Sequence, residues 1–500
     1  MEEKLAKLKT LLGEITDLTA TAAILSWDQQ TYMPPGGAED RGSQLALLAR
    51  LEHERWVSSE MGELLADLEK ETAHLPADSF ERALVRVTLR DYQKRTRVPA
   101  QWVSEFTEVT TLAQEAWVKA RQQADFRPFQ PHLERIVEMR REYSEFFKPY
   151  THVYDPQLDD FEPGMKTAEV QAIFDEVRPR QVALLKAIQS RPQVDDSFLQ
   201  QEFPEKAQWD FGVEVITRFG YDWQKGRQDK SAHPFTTSFG VGDVRITTRV
   251  DTRRLGTALF GTMHECGHAL YDLGLDPAYH RTPLRHGASM AVHESQSRMW
   301  ENLVGRSLPF WKFFYKRLQE YFPSQLGNVP LEAFYKAINK VEPSFIRVEA
   351  DEATYNLHIM LRLELEIALL EGSLEVKDLP AAWNEKFQSY LGLTPPNDAL
   401  GVLQDIHWSS GYFGYFPTYA LGNLVSAQLW EKINKDIPDL EGQIEKGEFG
   451  ALLSWLRENV HRWGRLYEPQ DLVEKVTGSR ITPQPYLRYL ERKYGEIYGL

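Results

Sequence analysis

The stretch that most limits what this chain can become is Met263-His264-Glu265-Cys266-Gly267-His268-Ala269-Leu270. On a helix, at about 100° per residue, His264 and His268 fall one turn apart on one face, with Glu265 beside them. Two neutral imidazoles so placed supply nitrogen ligands for a metal ion. Glu265 is turned too far round to share the ion comfortably, and can instead hold a water there and take its proton. The neighbouring residues ask for a helix as well. Leu259, Phe260, Met263, Ala269, Leu270 and Leu273 occupy the apolar positions of a segment from Leu255 to Leu273, and Gly274 stands where that segment would end. The motif therefore lies inside a buried helix, which sets it apart from chance occurrences of the same spacing.

The rest of the chain reads as helix almost throughout. Apolar residues recur every three to four positions over 2–26, 38–70, 78–95, 99–124, 130–148 and 166–190. They do so again over 308–321, 331–340, 350–371, 378–391, 416–434, 447–461 and 484–497. The first helix is expected to end near Trp27, ahead of Pro34-Pro35-Gly36-Gly37. No Pro/Gly/Ser-rich linker or block of like charge divides the 500 residues, so residues 1–500 are expected to form a single domain of one or two lobes. A hydrophobic fraction of 42% gives ample material for a core. The pattern changes once. From Phe235 to Val250 the residues alternate and are β-branched, and Gly240 and Gly242 are placed to fold the run into a hairpin. The expected fold class is thus mainly α, with one small hairpin near the metal helix. An extended peptide can pair with the edge of such a hairpin; the alternative is a flap that merely covers the core.

Composition excludes several partners. A net charge of −15 argues against nucleic acid and anionic membrane, both of which call for a basic surface. No run of eighteen apolar residues could span a bilayer, and the charged start Met1-Glu2-Glu3-Lys4 has no apolar signal core. The one cysteine, Cys266, forbids an internal disulfide and suits a reducing compartment. It lies about 200° round the helix from His264 and reads as a small core residue, not a ligand. The cytoplasm is the expected location.

A catalytic zinc takes three protein ligands and keeps one position open, so one more ligand is needed. Beyond the motif comes a loop with His280, Arg281, Pro283, Arg285 and His286, then a helix opening at Ser289 that carries His293 and Glu294. Glu294 is preferred, with enough chain before it to end one helix, turn, and bring a second alongside. His293 is the local rival, and His280 and His286 are looser ones. Two further stretches look like sites: Arg347-Val-Glu-Ala-Asp351, and Gln404-Asp405-Ile-His407-Trp408 leading into the aromatic loop Gly411 to Gly422.

Taken together, these residues resemble the thermostable metallocarboxypeptidases of the carboxypeptidase Taq type, which are similar in fold to neurolysin and angiotensin-converting enzyme. Six motifs occur in that family's order: His233-Pro234-Phe235, Asp243-Val-Arg245-Ile-Thr247, His264 to His268, His293-Glu294-Ser295-Gln296, Ile346-Arg347-Val-Glu-Ala-Asp351, and Gly401-Val-Leu-Gln404-Asp405-Ile-His407-Trp408. The resemblance implies a deep active-site groove, a homodimer, and removal of single residues from the free C-termini of peptides with broad specificity. It implies zinc, with cobalt or manganese as alternatives, on His264, His268 and Glu294, and Glu265 as the catalytic carboxylate. It also makes His407 and Tyr419 the pair that steadies the oxyanion, with Tyr412 and Tyr415 as rivals, and puts His233 among the substrate-binding residues. In one respect the chain departs from the wider clan. Arg298 stands four residues after Glu294, where an acidic residue is common, which leaves Asp351 as a candidate partner for the metal histidines.

An exopeptidase must recognise a free α-carboxylate, and a guanidinium can bond both of its oxygens at once. Arg347 is the expected clamp, with Arg245 limiting how the peptide lies; for each, the alternative is an internal salt bridge, to Asp351 or Asp243. The competing functions are an endo-oligopeptidase or dipeptidyl carboxypeptidase using the same zinc chemistry, and a zinc-containing scaffold without activity. A structural zinc is normally closed by four ligands, often cysteine, and this chain has one cysteine.

Overall fold

The opening helix, Glu2–Thr31, starts with two acidic residues in its first turn, where the helix dipole favours negative charge. It runs past Trp27, because Pro34 and Pro35 are the first residues that forbid it. Arg41 secures its last turns, donating to the Leu25 carbonyl and, at 2.7 Å, to the Asp28 carboxylate. Residues 38–70, expected as one helix, form two, Ala38–Trp56 and Ser59–Thr72. Ser58 interrupts them by capping the second, its hydroxyl accepting from the Met61 amide at 3.3 Å.

The computed structural model describes all 500 residues. It contains 21 α-helices and a three-stranded sheet, and no helix is long and apolar enough to cross a membrane. The chain divides into two compact units. One comprises Met1–Thr96, Asp195–Ile338 and Leu429–Arg480; the other comprises Arg97–Val194, Asn339–Gln428 and Ile481–Leu500.

The first unit holds the sheet and the metal helix, Leu255–Gly274. The hairpin forms where the alternation placed it, with β2 (Thr236–Gly240) antiparallel to β3 (Asp243–Thr248). A third strand, β1 (Gln228–Lys230), pairs parallel with β3 on its other side. Val244 and Ile246 of the central β3 are fully buried, while β2 is left as an edge. Four helices absent from the sequence reading are also present here, the longer two being Glu205–Phe219 and Pro469–Thr477 and the short ones Pro323–Leu326 and Leu440–Ile444. The longer two carry local punctuation: Pro204 precedes Glu205–Phe219 and Gly220 closes it in a left-handed conformation, and Gly478 closes Pro469–Thr477 in the same way. An aromatic core of Phe211, Phe219, Trp300, Phe310, Trp311 and Phe314 backs the metal helix. Phe219 and Trp300 have their ring centroids 4.5 Å apart.

In the second unit the helix Glu352–Glu371 is buried along nearly its whole length, polar residues included. Asp351 caps its start, accepting from the amides of Ala353 and Thr354 at 2.9 and 3.0 Å, and Gly372 ends it in the left-handed conformation. His358, Arg362 and Glu366 follow one another at four-residue intervals as a buried polar stripe. Arg362 and Glu366 are buried with hydrogen-bond partners from Asp405, Tyr154, Trp408 and Gly414.

Candidate active site

Two helices build the metal cluster. The metal helix is followed by a second, Met290–Arg298, whose start Ser289 fixes by accepting from the Val292 amide at 3.1 Å. They touch at Gly267. A Cβ there would lie 2.6 Å from both the Gln296 carbonyl oxygen and the Ser297 Cα, so a glycine inside the His-Glu-x-x-His motif is what permits the approach. That contact brings Glu294 to the histidines. Its Oε2 stands 3.6 Å from the Nε2 of His264 and 3.4 Å from that of His268, and the three ligand atoms lie within 4.8 Å of one another.

The far sides of both imidazoles are occupied. His264 Nδ1 is 2.8 Å from a Glu301 carboxylate oxygen. His268 Nδ1 is 2.6 Å from His293 Nδ1, and His293 Nε2 is 3.1 Å from Asp272. With the His293 proton directed to Asp272, its Nδ1 accepts from His268, whose metal-facing Nε2 keeps its lone pair; the Nε2 of His264 presents one once its second proton is displaced. Two imidazole nitrogens and one carboxylate oxygen, all converging, are a donor set that suits zinc and related divalent ions.

The electrostatics agree. Burial alone would raise the Glu294 carboxyl, yet Arg298 and the two histidines hold it well below its usual range. Burial disfavours a charged His264, but Glu294 and Glu301 outweigh this and raise it to about 9. The cluster thus keeps its carboxylates ionised and attracts a cation, which must displace the His264 proton to bind.

Glu265 sits alongside and is 7% exposed. The Thr236 hydroxyl, at the start of β2, lies 2.6 Å from its Oε2 and 2.9 Å from its backbone carbonyl. Cys266 is fully buried, as a core residue should be. His293 stands behind His268 as a supporting partner. His280 and His286 are exposed and lie outside the cluster. Glu301, Asp272 and Thr236 are members of the site that the sequence reading did not name.

The motif arginines are less free than expected. Arg245 is paired to Asp243 through two hydrogen bonds of 2.8 and 2.7 Å and lies 4.4 Å above the Trp27 ring, which is the internal salt bridge weighed above. His233 is exposed just before β2.

The second unit gathers the remaining motif residues. Arg347, 5% exposed, donates to Asp405 Oδ1 at 3.0 and 2.8 Å and to the Tyr355 hydroxyl at 3.0 Å. Its salt-bridge partner is therefore Asp405, and Asp351 is committed to its helix cap. Arg362 takes the other oxygen of Asp405 at 2.8 and 2.5 Å. His407 lies 4.0 Å from Asp405. Burial and then the two guanidiniums, against Asp405, lower it to about 4, so it is a neutral imidazole at physiological pH. Tyr419 and Tyr415 flank it at ring-centroid distances of 6.4 and 5.4 Å, while Tyr412 is half exposed. Glu366 anchors the loop that carries these groups, accepting from Tyr154, Trp408 and the Gly414 amide at 2.6, 2.8 and 3.0 Å.

Comparison with known proteins decides the family. The family described as Carboxypeptidase Taq (M32) metallopeptidase matches residues 7–494. The chain belongs to this family. It is 43% identical to thermostable carboxypeptidase 1 of Thermus thermophilus, over 97% of each chain, and 39% identical to carboxypeptidase 1 of Bacillus subtilis, over 98% of each. Among solved structures it is similar to the M32 carboxypeptidase of Deinococcus radiodurans R1, with a TM-score of 0.97, 41% identity and full coverage of both chains. The chain is accordingly a metallocarboxypeptidase, a peptide hydrolase, of mainly helical fold, and the His264, His268 and Glu294 cluster is its candidate metal centre.

Proposed function

We propose that residues 1–500 act as one zinc-dependent metallocarboxypeptidase domain that releases single amino acids from peptide C-termini with broad specificity. Zinc is assigned to His264, His268 and Glu294; cobalt and manganese suit the same donors. The reading is carried by the convergence of two Nε2 atoms and one Oε2 within 4.8 Å. Location in the cytoplasm, assembly as a homodimer, and substrates confined to peptides with a free C-terminus complete the proposal.

His264, His268 and Glu294 would hold the ion, which would supply Lewis acidity toward the scissile carbonyl and the attacking water. Glu265, aimed by the Thr236 hydroxyl, takes the proton of that water and passes it to the leaving amine. His407 and Tyr419 donate hydrogen bonds to the oxyanion, a role suited to an imidazole that stays neutral. Arg347 receives the substrate carboxylate. Its guanidinium shares Asp405 with Arg362, so two positive charges face one negative, and the excess favours an anion. Arg245, laid against Trp27, limits how the peptide lies along the β2 edge, and His233 contacts it at the start of that strand.

The test is product release from an N-blocked tripeptide with a free or an amidated C-terminus, each assayed with metal removed and restored. Metal-dependent release of one residue from the free acid alone is expected. Cleavage of both peptides would move the protein to the endo-oligopeptidases, and release of a dipeptide to the dipeptidyl carboxypeptidases.

A further inference from the structure

Arg298 occupies the position, one turn after Glu294, where an acidic partner for a metal histidine was to be expected. That duty falls to Glu301, which the π-helical turn Met299–Val304 carries to the Nδ1 of His264. Arg298 instead lies between the two carboxylates. Its Nε donates to Glu294 Oε1 at 2.7 Å and its Nη1 to Glu301 Oε2 at 3.3 Å.

Glu294 has two oxygens, and they are not equivalent. Oε1 is occupied by Arg298. Oε2 faces both histidine Nε2 atoms. The Ser297 hydroxyl is 3.1 Å from Oε2, but its shorter contact, 2.7 Å, is to the Glu294 carbonyl. Glu294 and Glu301 are matched by Arg298 and by Arg306, whose Nη2 is 3.7 Å from Glu301 Oε1.

We infer that Arg298 is a positioning residue that confines Glu294 to one-oxygen coordination through Oε2 and competes with the metal for the charge of that carboxylate. The inference rests on the metal assignment above and adds to it a division of labour between the two oxygens. It also separates Arg298 from an ordinary supporting residue, because the two roles predict opposite signs. Loss of an orienting partner weakens metal binding, by ~10–100-fold in typical sites. Loss of a competitor strengthens it, because Oε1 and the full carboxylate charge become available to the ion.

The experiment titrates metal-free wild type and three variants, Arg298→Met, Arg298→Gln and Arg298→Lys, with cobalt(II). It reads the visible absorption of the bound ion and its affinity by chelator competition. Arg298→Met should bind cobalt more tightly, by about tenfold or more on the scale of such partners, with the weaker visible bands of a centre that has gained a ligand. Arg298→Gln, which still donates to Oε1 without a charge, should bind more tightly with an unchanged spectrum. Arg298→Lys, which keeps both a donor and the charge, should match wild type in both readouts. Should the methionine variant fail to fold, the glutamine and lysine variants decide the charge effect. Weaker binding in the methionine or glutamine variant overturns the inference, as does a methionine spectrum identical to wild type. A wild type that binds no cobalt overturns the metal assignment itself.

Discussion

Replacing Gly267 with alanine tests the geometry of the metal centre at its narrowest point. An alanine Cβ at this position would sit 2.6 Å from the Gln296 carbonyl oxygen and the Ser297 Cα, and 3.0 Å from the Gln296 carbonyl carbon. Ordinary carbon contacts begin near 3.4 Å, so the Met290–Arg298 helix must retreat by about 0.8 Å, and these are backbone atoms that cannot rotate aside. Glu294 lies on that helix two residues before Gln296 and moves with it. Metal–ligand distances tolerate only about ±0.2 Å, so the Oε2 ligand is displaced well beyond its working range. The stability balance is closer. Alanine in place of a mid-helix glycine contributes up to ~1 kcal/mol, while overpacking costs ~1–3 kcal/mol. The metal-free variant should therefore unfold at nearly the wild-type temperature or a few degrees lower, while its zinc affinity falls by at least ~10–100-fold, the scale for lost supporting contacts. Gly261 is the control. It lies in the same helix with nothing within 4 Å of its added Cβ, so Gly261→Ala should stabilise by up to ~1 kcal/mol and leave metal binding unchanged. Chelator competition and thermal unfolding of the apo forms measure both quantities. The reasoning is refuted if Gly267→Ala holds zinc within threefold of wild type, or if Gly261→Ala loses as much.

Glu265→Gln should retain one equivalent of metal and lower kcat by ~10²–10⁴-fold, the usual contribution of a positioned general base; loss of the metal along with turnover would make Glu265 a ligand instead. Thr236→Val removes the donor that aims Glu265 and should lower kcat with little change in KM; equal loss in both kinetic terms would place Thr236 in substrate binding. Glu366→Gln bears on pH. Burial raises Glu366 to about 7, even though the Gly414 amide, Tyr154 and Trp408 all donate to it. A carboxyl whose pKa is raised by folding binds its proton more tightly when folded, so its contribution to stability is full at low pH and declines as pH rises from about 4.5 through about 7. The shift corresponds to ~3 kcal/mol at full ionisation. Wild type should lose thermal stability across that window, and Glu366→Gln should flatten the slope even though its amide NH2 cannot accept from Trp408 and that bond is lost. An unchanged slope would show that Glu366 is not the group responsible.

How much of this was legible in the sequence follows from how local each interaction is. The metal helix, its ending at Gly274 and the Ser289 start of the next helix are encoded within single turns, and they sufficed to point to Glu294. The hairpin was legible because alternation and two glycines are local. Its third strand was not, because Gln228-Asp229-Lys230 is short and polar and acquires strand character only by pairing with β3. Ser58 and Asp351 are helix caps whose signal competes with other readings. At Ser58 the apolar period runs through the break unaltered. At Asp351 the sequence offers a partner for the metal histidines, but the carboxylate is spent on the helix it begins.

Around Arg298 the difference between sequence and structure arises from helix geometry. Counting one regular turn from Glu294 arrives at an arginine and suggests that the acidic partner is missing. The π-turn at Met299–Val304 changes the count, so the carboxylate that supports His264 comes from Glu301, and the position in between is free to take a guanidinium. Arginine there would be costly beside a metal if it were unpaired, and it is tolerated because both flanking carboxylates bond to it. The second unit shows the reverse arrangement. There Arg347 and Arg362 share the single carboxylate of Asp405, and a neutral His407 adds no further charge. Where carboxylates exceed guanidiniums, as Glu265, Asp272, Glu294 and Glu301 exceed Arg298 and Arg306, the cluster is set to receive a cation; where guanidiniums exceed carboxylates, it is set to receive an anion. The excess of positive charge around Asp405 suits Arg347 to a free carboxylate even though its guanidinium is already paired.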